Sequence, residues 1–459
     1  MPDAVTIEQF YLGCLAHASY LVASRGEAAV IDPQRDVEIY LEAAARRGAV
    51  IRHIIETHLH ADFVSGHIEL ARRTSARIYL GDGSGAGFPH REVKDGDSIT
   101  FGDCRLDFLQ TPGHTLESIC VVATDLTRPD PPLAVFTGDT LFVGDVGRPD
   151  LSPTHTPQQL ARKLYRSLHE KLLKLPEDTA IFPAHGAGSL CGRQMSSERS
   201  STIGRERRSN YALQAATADE FMHLLTDHLP PRPEYFGRDV ELNRRGAAPL
   251  EDLPQLNPCT PAQVRELQAQ GVVVLDTRPV IEFCSAHIPG SVHIGLQGQF
   301  ASWAARLLGL DRRLLLLGED CERIREAQVR LARVGIENVC GYVENGIAGW
   351  TGAGYQLDYI PQISVYELAA FQQDESATVL DVRERAEREA GAIPGSVGIP
   401  LGELTGRVEE LDPAKVLVVH CKSGYRSAVA TSLLRRSGFR NLANLTGGYD
   451  AWKAMAASS

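Results

Sequence analysis

A repeat of about 100 residues fills the second half of this chain and constrains its fold more than any other feature. Residues 274–278 read VLDTR and residues 379–383 read VLDVR, while residues 288–292 and 393–397 both read IPGSV. The two segments of each pair are 105 positions apart. Because solenoid units are only roughly 20–50 residues long, this repeat indicates two copies of a whole domain.

Short apolar segments that end in polar or glycine- and proline-rich turns characterise the chain ahead of the repeat. They predict strands at residues 28–31, 53–56, 106–109, 133–136 and 180–182. Strands that alternate with helices in this way are typical of a layered α/β domain. We therefore expect an α/β multidomain protein.

A change in amino-acid composition separates this first region from the repeat. A charged stretch at residues 205–228 predicts a helix, and the dense prolines from Pro230 onward predict an extended connector. The predicted segments are a first domain at residues 1–204, a helical and proline-rich connector at 205–258, and the two copies at 259–357 and 358–459. Three domains also suit a chain of 459 residues.

Composition argues against several classes of function. A net charge of −11 leaves no basic surplus to neutralise nucleic-acid phosphates. No apolar run approaches the roughly 20 residues that span a bilayer, and residues 1–10 lack the features of a signal peptide. The nine cysteines contain no C-x-x-C pair, which favours a reducing, cytoplasmic location.

Metal-binding side chains follow four of the predicted strands. A strand end is rigid, and the loop after it lets side chains converge, so this pattern predicts a metal site. The groups are His58, His60 and Asp62 after the strand at 53–56, then His114, Asp139 and His185 after the other three.

The order His-x-His-x-Asp, then His, Asp and His, resembles the metallo-β-lactamase superfamily over the first 200 or so residues. The resemblance implies an N-terminal αββα sandwich with the metal at one sheet edge. Hydrolases of the superfamily, such as glyoxalase II, hold two metals, and the second needs a histidine directly after the aspartate. Phe63 occupies that position here, which favours a single metal.

Persulfide dioxygenases of the same superfamily use a mononuclear site of two histidines and one carboxylate, which leaves open positions on Fe(II). This resemblance implies one Fe(II) per chain, bound by His58, His114 and Asp139. Zinc is the alternative metal. The remaining groups then orient ligands or waters around the iron, or serve as ligands of an alternative second metal; they are His60, Asp62 and His185.

Two further residues are candidates for the substrate pocket. The segment Gly147-Arg148-Pro149-Asp150 resembles the Gly-Arg-Thr-Asp segment of persulfide dioxygenases, which implies that Arg148 contacts the carboxylates of a glutathione-like thiol. A structural salt bridge is the alternative for Arg148. Cys191, six residues after His185, is either a sulfur-carrying thiol or a small buried residue.

A reactive cysteine is predicted in the second copy. The apolar strand at residues 416–420 leads into Cys421 and the loop KSGYR, and a helix is predicted at residues 427–436. Loop N–H groups, the helix dipole, Lys422 and Arg426 all favour the thiolate that accepts sulfane sulfur. Four residues separate Cys421 from Arg426, whereas cysteine phosphatases have five. The shorter loop resembles the rhodanese family, which implies catalytic roles for Cys421 and Arg426 and substrate binding by Lys422.

The first copy shares the frame of the second but not its reactive loop. Glu319 stands about where Cys421 stands in the second copy, and Cys321 has acidic neighbours and no arginine at the matching distance. Acidic neighbours raise a thiol pKa and so oppose thiolate formation. We predict that the first rhodanese-like copy is catalytically silent and acts as a scaffold or docking surface.

The whole chain thus resembles fusions of a persulfide dioxygenase with tandem rhodanese domains. The resemblance implies oxidation of a low-molecular-weight thiol persulfide by O2 to sulfite, coupled to transfer of sulfur to or from thiosulfate. It also implies a homo-oligomer, with no nucleic-acid or membrane partner. Two alternatives remain open: a dinuclear zinc hydrolase of the glyoxalase II or β-lactamase type, and a non-oxidising sulfur carrier or sensor.

Overall fold

The computed structural model of the protein describes residues 4–227, 229, 231–373 and 377–457. His228 and Pro230, which belong to the predicted helix and connector, lie outside the described residues. The chain forms two compact units, Met1–Leu253 with Ala332–Gly335 and Pro254–Leu331 with Ile336–Ser459. The domain boundaries predicted above remain predictions.

Two six-stranded sheets form the first unit. The first sheet has the order β1-β2-β3-β4-β5-β6, and the second has the order β12-β11-β10-β9-β8-β7. The strands of the first sheet are β1 (Thr6–Leu12), β2 (His17–Ser24), β3 (Glu27–Ile31), β4 (Val50–Ile55), β5 (Arg77–Gly81) and β6 (Arg91–Val93). Those of the second are β7 (Ser98–Phe101), β8 (Cys104–Gln110), β9 (Ile119–Asp125), β10 (Ala134–Gly138), β11 (Ala180–Pro183) and β12 (Ser201–Thr202).

Helices cover the outer faces of these sheets. They are α1 (Glu38–Arg46), α2 (His67–Thr74), α3 (Pro157–Glu170), α4 (Ile203–Ser209), α5 (Ala218–Thr226) and α6 (Phe236–Arg245). One apolar cluster, which includes Tyr20 and Phe108, lies between the two sheets. Two others join the first sheet to α1 and α2 and the second sheet to α3 and α5. This is the predicted αββα sandwich, in which apolar faces are buried between layers.

Local sequence explains where α3 begins. Thr156 accepts a hydrogen bond from the backbone of Gln159, whose side chain accepts one from Thr156 in return. This capping box satisfies backbone donors that the first turn leaves without partners. Pro157 at the first helical position needs no such partner, and its fixed φ suits a helix.

The stretch predicted as one charged helix is interrupted. It forms α4, a 3₁₀ turn at Tyr211–Gln214 and α5, because Asn210 and Thr217 each cap the start of a new element with their side chains. Helix α6 lies within the proline-rich stretch, where an extended chain was predicted. Prolines flank α6 without entering it, so they bound a helix here instead of excluding one.

Two five-stranded sheets form the second unit, one in each sequence repeat, with the orders β13-β17-β16-β14-β15 and β18-β22-β21-β19-β20. The first copy consists of β13 (Pro258–Cys259), α7 (Pro261–Ala269), β14 (Val273–Asp276), α8 (Val280–Ser285), β15 (Val292–His293), α9 (Phe300–Leu308), β16 (Leu314–Leu317), α10 (Cys321–Ala332), β17 (Val339–Val343) and α11 (Gly346–Gly352). The second consists of β18 (Gln362–Ile363), α12 (Val365–Gln373), β19 (Ala377–Asp381), α13 (Arg385–Glu389), β20 (Val397–Gly398), β21 (Val416–His420), α14 (Tyr425–Arg436), β22 (Leu442–Leu445) and α15 (Gly448–Ala456). Paired strands in both sheets run parallel, as short crossover helices require.

The predicted α/β multidomain class is confirmed, and so is the duplication. All five strands predicted in the first region are present, and each ends within two residues of the prediction. Within the described part of the chain, none of the helices is long and apolar enough to span a bilayer.

Candidate metal centre and sulfur-transfer loop

Three ligand-type side chains converge at one edge of the sandwich. His58 follows β4, His114 follows β8 and Asp139 follows β10. One donor atom from each lies within 4.8 Å of those of the other two. The Nε2 atoms of His114 and His58 are 3.3 Å and 3.8 Å from Oδ2 of Asp139. All three side chains are buried, so protein atoms surround the site.

Hydrogen bonds outside this cluster fix both imidazoles. Nδ1 of His114 donates to the carbonyl of Arg148 over 2.9 Å. Nδ1 of His58 donates to Oγ1 of Thr57 over 3.0 Å, and that hydroxyl donates to Asp32 over 2.9 Å. Donation from Nδ1 leaves the Nε2 lone pairs directed towards Asp139, which is how outer hydrogen bonds orient histidine ligands of metals.

The protonation states also suit a cation. Burial lowers the pKa of His58 well below its ordinary value and lowers that of His114, so both rings are neutral. Burial alone would raise the pKa of Asp139, but His185 and His58 hold it well below the usual range. Among the described residues, His114 Nε2 and Asp139 Oδ2 have no hydrogen-bond partner although both are buried. Because such orphaned atoms are costly, these donors fit a bound metal ion.

His60 lies next to this cluster but faces carboxylates. Its Nε2 is 3.2 Å from Oδ1 of Asp32 and 3.3 Å from Oε2 of Glu56. Against the effect of burial, Asp32 and Glu56 raise the pKa of His60 to about 10. Glu56, whose pKa burial alone would raise, is brought to about 2 by His67 and His60. With these two carboxylates His60 forms a separate buried group, whose donor atoms lie within 4.8 Å of one another. Its predicted role, to orient ligands or to bind an alternative second metal, stays a prediction.

Asp62, His185 and Cys191 form a second buried group, also with donor atoms within 4.8 Å of one another. His185 links it to the first cluster, since its Nδ1 donates to Asp139 Oδ1 over 2.7 Å and its Nε2 lies 3.0 Å from Asp62 Oδ2. Burial, followed by Asp62 and Asp139, raises the pKa of the Cys191 thiol well above its ordinary value. With its pKa raised in this way, Cys191 is a neutral thiol. Its predicted sulfur-carrying role stays a prediction.

Arg148 makes a bidentate ion pair with Asp150, with distances of 2.6 Å and 2.8 Å. Its Nη1 also donates to the carbonyl of Leu190, and its guanidinium lies 6.0 Å from the centre of the Phe236 ring. The side chain is nearly buried by these contacts. Its predicted contact with substrate carboxylates stays a prediction, and it would require Asp150 to share the guanidinium.

Two residues at the site have no counterpart in the sequence predictions. His17, at the start of β2, is buried with its ring centre 4.0 Å from that of Phe63 and 5.6 Å from that of His185. Asn243 of α6 donates to the carbonyls of His60 and Phe63 over 2.8 Å each and accepts from the backbone of Ser65. An isolated histidine and an asparagine far along the chain carry no signal of this proximity.

The Cys421 loop joins β21 to α14, as the sequence predicts. The backbone N–H of Gly424 donates to Sγ of Cys421 over 3.1 Å, and the Ser427 hydroxyl lies 3.5 Å from the same sulfur. Gly424 has φ of 110°, a left-handed value that favours glycine and turns its N–H towards the sulfur. Both donors thus contact the sulfur at the start of α14, where the sequence predicts the reactive thiol.

Neighbouring cations differ in how they are held. Arg426 makes a bidentate pair with Glu387, with distances of 2.5 Å and 2.8 Å. Lys422 is exposed. Glu387, whose pKa burial would raise, is instead held below its ordinary value by Arg426. The catalytic role of Arg426 and the substrate contact of Lys422 stay predictions, and the structure adds Glu387 as the partner of Arg426.

The corresponding loop of the first copy is shorter. Three residues separate β16 from α10, against four between β21 and α14. Cys321 is the first residue of α10 and is exposed, so its place in the fold corresponds to Tyr425 and not to Cys421. The predicted silence of this copy agrees with that placement.

Two protein-family profiles match this chain. The sequence profile of the metallo-beta-lactamase superfamily matches residues 12–185. That of the rhodanese-like domain matches residues 260–353 and again residues 364–455. A metallo-beta-lactamase from Staphylococcus aureus, known from its crystal structure, is 32% identical in sequence to this chain. The two structures align with a TM-score of 0.68 over 74% of this chain and 99% of that one.

Two curated relatives are equally similar to the first half of the chain. The mitochondrial persulfide dioxygenase of Homo sapiens is 31% identical over 235 residues, which are 50% of this chain and 83% of that protein. A hydroxyacylglutathione hydrolase of Rhodopseudomonas palustris is 31% identical over 236 residues, which are 50% of this chain and 80% of that protein.

The chain therefore belongs to the metallo-beta-lactamase superfamily and carries two rhodanese-like domains behind its metal-binding fold. Within that superfamily its first half is homologous to persulfide dioxygenases, as the sequence motifs predicted. We call residues 260–353 the first copy and residues 364–455 the second copy from here on.

Proposed function

We propose that this protein is an iron-dependent persulfide dioxygenase whose second copy transfers sulfane sulfur through Cys421. The observation that carries the proposal is the ligand set of His58, His114 and Asp139, combined with the engagement of His60 by two carboxylates. Two neutral histidines and one carboxylate are typical of mononuclear iron oxygenases. The similarity to the human persulfide dioxygenase supports the same assignment.

Fe(II) bound by these three residues would supply open coordination positions for a thiol persulfide and dioxygen. Arg148 and Thr57 hold the two imidazoles through their Nδ1 atoms, and His185 holds the outer oxygen of Asp139. Phe63 and His17 pack around this edge and exclude water from it. Asn243 fixes the backbone of the loop between His60 and Ser65.

The overall oxidation balances without a further reductant. One thiol persulfide, one O2 and one water give the free thiol, sulfite and two protons, so the outer sulfur is oxidised and dioxygen is reduced. The carrier belongs to the low-molecular-weight thiols, such as glutathione. We propose a homo-oligomeric, cytoplasmic enzyme, in keeping with the fusions that its sequence resembles.

Sulfur transfer then takes place at Cys421. When the Cys421 persulfide meets sulfite, its S–S bond breaks, and the outer sulfur bonds to the sulfite sulfur. The products are thiosulfate and the Cys421 thiolate, which Gly424 and Ser427 stabilise. The reverse reaction, from thiosulfate to Cys421, uses the same groups.

Metal content after anaerobic purification tests the iron assignment. We expect about one iron per chain and oxygen uptake when glutathione persulfide is added. Two zinc ions per chain and hydrolysis of a glutathione thioester would instead establish the hydrolase, which the similarity to the hydroxyacylglutathione hydrolase makes the second candidate. An iron-loaded sample that consumes no oxygen with any thiol persulfide would leave a sulfur carrier or sensor.

A further inference from the structure

Two arginines of the second copy are already paired, whereas Lys422 of the Cys421 loop is exposed. Arg426 is bound by Glu387 through both guanidinium nitrogens, and Arg383 is bound in the same way by Asp381. Glu384, the N-cap residue of α13, adds a further carboxylate near Arg426. Burial lowers the pKa of Arg426. Three neighbours raise that pKa and so lie near the guanidinium: Glu387, Cys421 and Glu384. A doubly charged sulfur oxyanion therefore needs a further cation here.

The first copy is attached to the helix that follows Cys421. Tyr425, next to Arg426, donates its hydroxyl hydrogen to the carbonyl of Gly295 over 2.9 Å. The backbone N–H of His293 donates to the Ser432 hydroxyl over 3.0 Å. Both bonds are at least partly buried, so they hold the first copy against α14 in one register.

Arg306 on α9 of the first copy reaches Glu384, the N-cap residue of α13 in the second copy. Its Nη2 lies 3.8 Å from Oε1 of Glu384, and its guanidinium stacks 4.4 Å from the centre of the Trp303 ring. At 3.8 Å the pair is electrostatic, beyond hydrogen-bonding distance. Among the described residues these are its polar and ring partners, so its N–H donors remain available to a ligand.

Backbone contacts connect this guanidinium to the reactive sulfur. Any Cβ at Gly402 would overlap Nη2 of Arg306, so glycine is what permits the close approach. The next residue back, Leu401, donates its N–H to the carbonyl of Val382, and Val382 donates to the carbonyl of His420. His420 directly precedes Cys421. Arg306 thus contacts a segment that is hydrogen-bonded, through Val382, to the residue before Cys421.

We propose that Arg306 of the first copy is a specificity-determining residue for the Cys421 site, where it offsets Glu384 and attracts a sulfur oxyanion such as thiosulfate or sulfite. The inference rests on the proposed sulfur transfer. It gives the first copy a definite function, since that copy supplies a positive charge in addition to Lys422 of the second copy.

Alkylation of Cys421 by an anionic and a neutral reagent measures this charge without requiring turnover. In R306Q we expect the rate with iodoacetate to fall on the order of five-fold, because the loss of one nearby charge in a partly exposed site has an effect of that size. The rate with iodoacetamide should stay unchanged. Mass spectrometry of the Cys421 peptide distinguishes this thiol from the other eight cysteines.

Matched variants complete the test. R306K should retain most of the iodoacetate rate, and R265Q should match the wild type, because Arg265 stacks on Tyr355 within the first copy. The five-fold ratio should shrink in 1 M NaCl, and the KM for thiosulfate should rise in R306Q with kcat unchanged. An unaltered ratio of the two alkylation rates in folded R306Q would overturn the proposal. A lowered ratio in a protein that cannot use thiosulfate would keep the anion site and reject sulfur transfer.

Discussion

The two rhodanese-like copies have the same buried ion pair and different reactive loops. Asp276 binds Arg278 over 2.9 Å and 2.6 Å, and Asp381 binds Arg383 over 3.0 Å and 2.6 Å. Each arginine also donates to a carbonyl eight residues further on, over 2.9 Å. Beyond these pairs, only the second copy has a cysteine at the end of its central strand. The pair therefore maintains the fold, and the loop determines the chemistry.

Replacing the cysteine of each copy by serine should give the largest difference in sulfur transfer between the copies. C421S should reduce sulfur transfer by about 10³-fold or more, because it removes the nucleophile, while oxygen uptake remains. C321S should change neither rate, since Cys321 is exposed on the helix start and holds no comparable contacts. Thiosulfate formation and oxygen consumption, measured on the same samples, check both statements. Equal loss of the two activities in C421S would contradict the separation of sites.

Removing the shared ion pair should affect the stability of both copies alike. D276N and D381N each leave a buried guanidinium without its counter-charge, which costs about 3–5 kcal/mol of unfolding free energy. Urea unfolding followed by circular dichroism measures this. Only D381N should also slow sulfur transfer in the folded protein, because Asp381 pairs in register with His420, the neighbour of Cys421. A much smaller loss in one variant would show that the pairs are not equivalent.

The smallest expected effect concerns Glu387 and its counterpart 105 positions earlier, Glu282. E387Q breaks the partly exposed pair with Arg426 and should cost about 0.5–1 kcal/mol at pH 7. E282Q should cost less, because Glu282 is half exposed and lies 3.8 Å from Arg278 without a hydrogen bond.

Acidity provides the control for that comparison. The pKa of Glu387 is lower in the folded protein than its ordinary value. Glu387 therefore contributes its full share to the free energy of unfolding above the ordinary pKa, and this share is lost as the pH falls through the lowered pKa. The stability difference between wild type and E387Q should therefore disappear in strong acid. A difference that persists there would mean that Glu387 stabilises the loop by packing and not by charge.

Sequence reasoning located the groups that lie at strand ends. His58, His114, Asp139 and His185 follow apolar strands of the two sheets, and the resemblance to the metallo-β-lactamase superfamily implied that these strand ends meet at one edge. The Cys421 loop was predictable for a related reason, because strand, short loop and helix are all local in sequence. Both predictions combined pattern and spacing with a resemblance to a known family.

Contacts that depend on packing between distant segments were not predictable. Asn243 lies 180 residues after Phe63, inside a stretch whose prolines indicated an extended chain. The approach of Arg306 to Glu384 depends on how the two copies pack, which neither copy's own pattern encodes. Arg148 was identified from a motif, but only the coordinates reveal that Asp150 already holds its guanidinium.

The hydrogen bonds of Asn243 also decide where the protein can be divided. Helix α6 anchors the loop that follows the first metal histidine, and the backbone of Leu250 donates to Glu69 of α2 over 2.8 Å. A fragment that stops at residue 204 would have both sheets and every candidate ligand, yet its ligand-bearing loop would be untethered. We therefore expect a fragment that binds metal on its own to extend at least through Leu250, about 45 residues beyond the predicted domain end at residue 204.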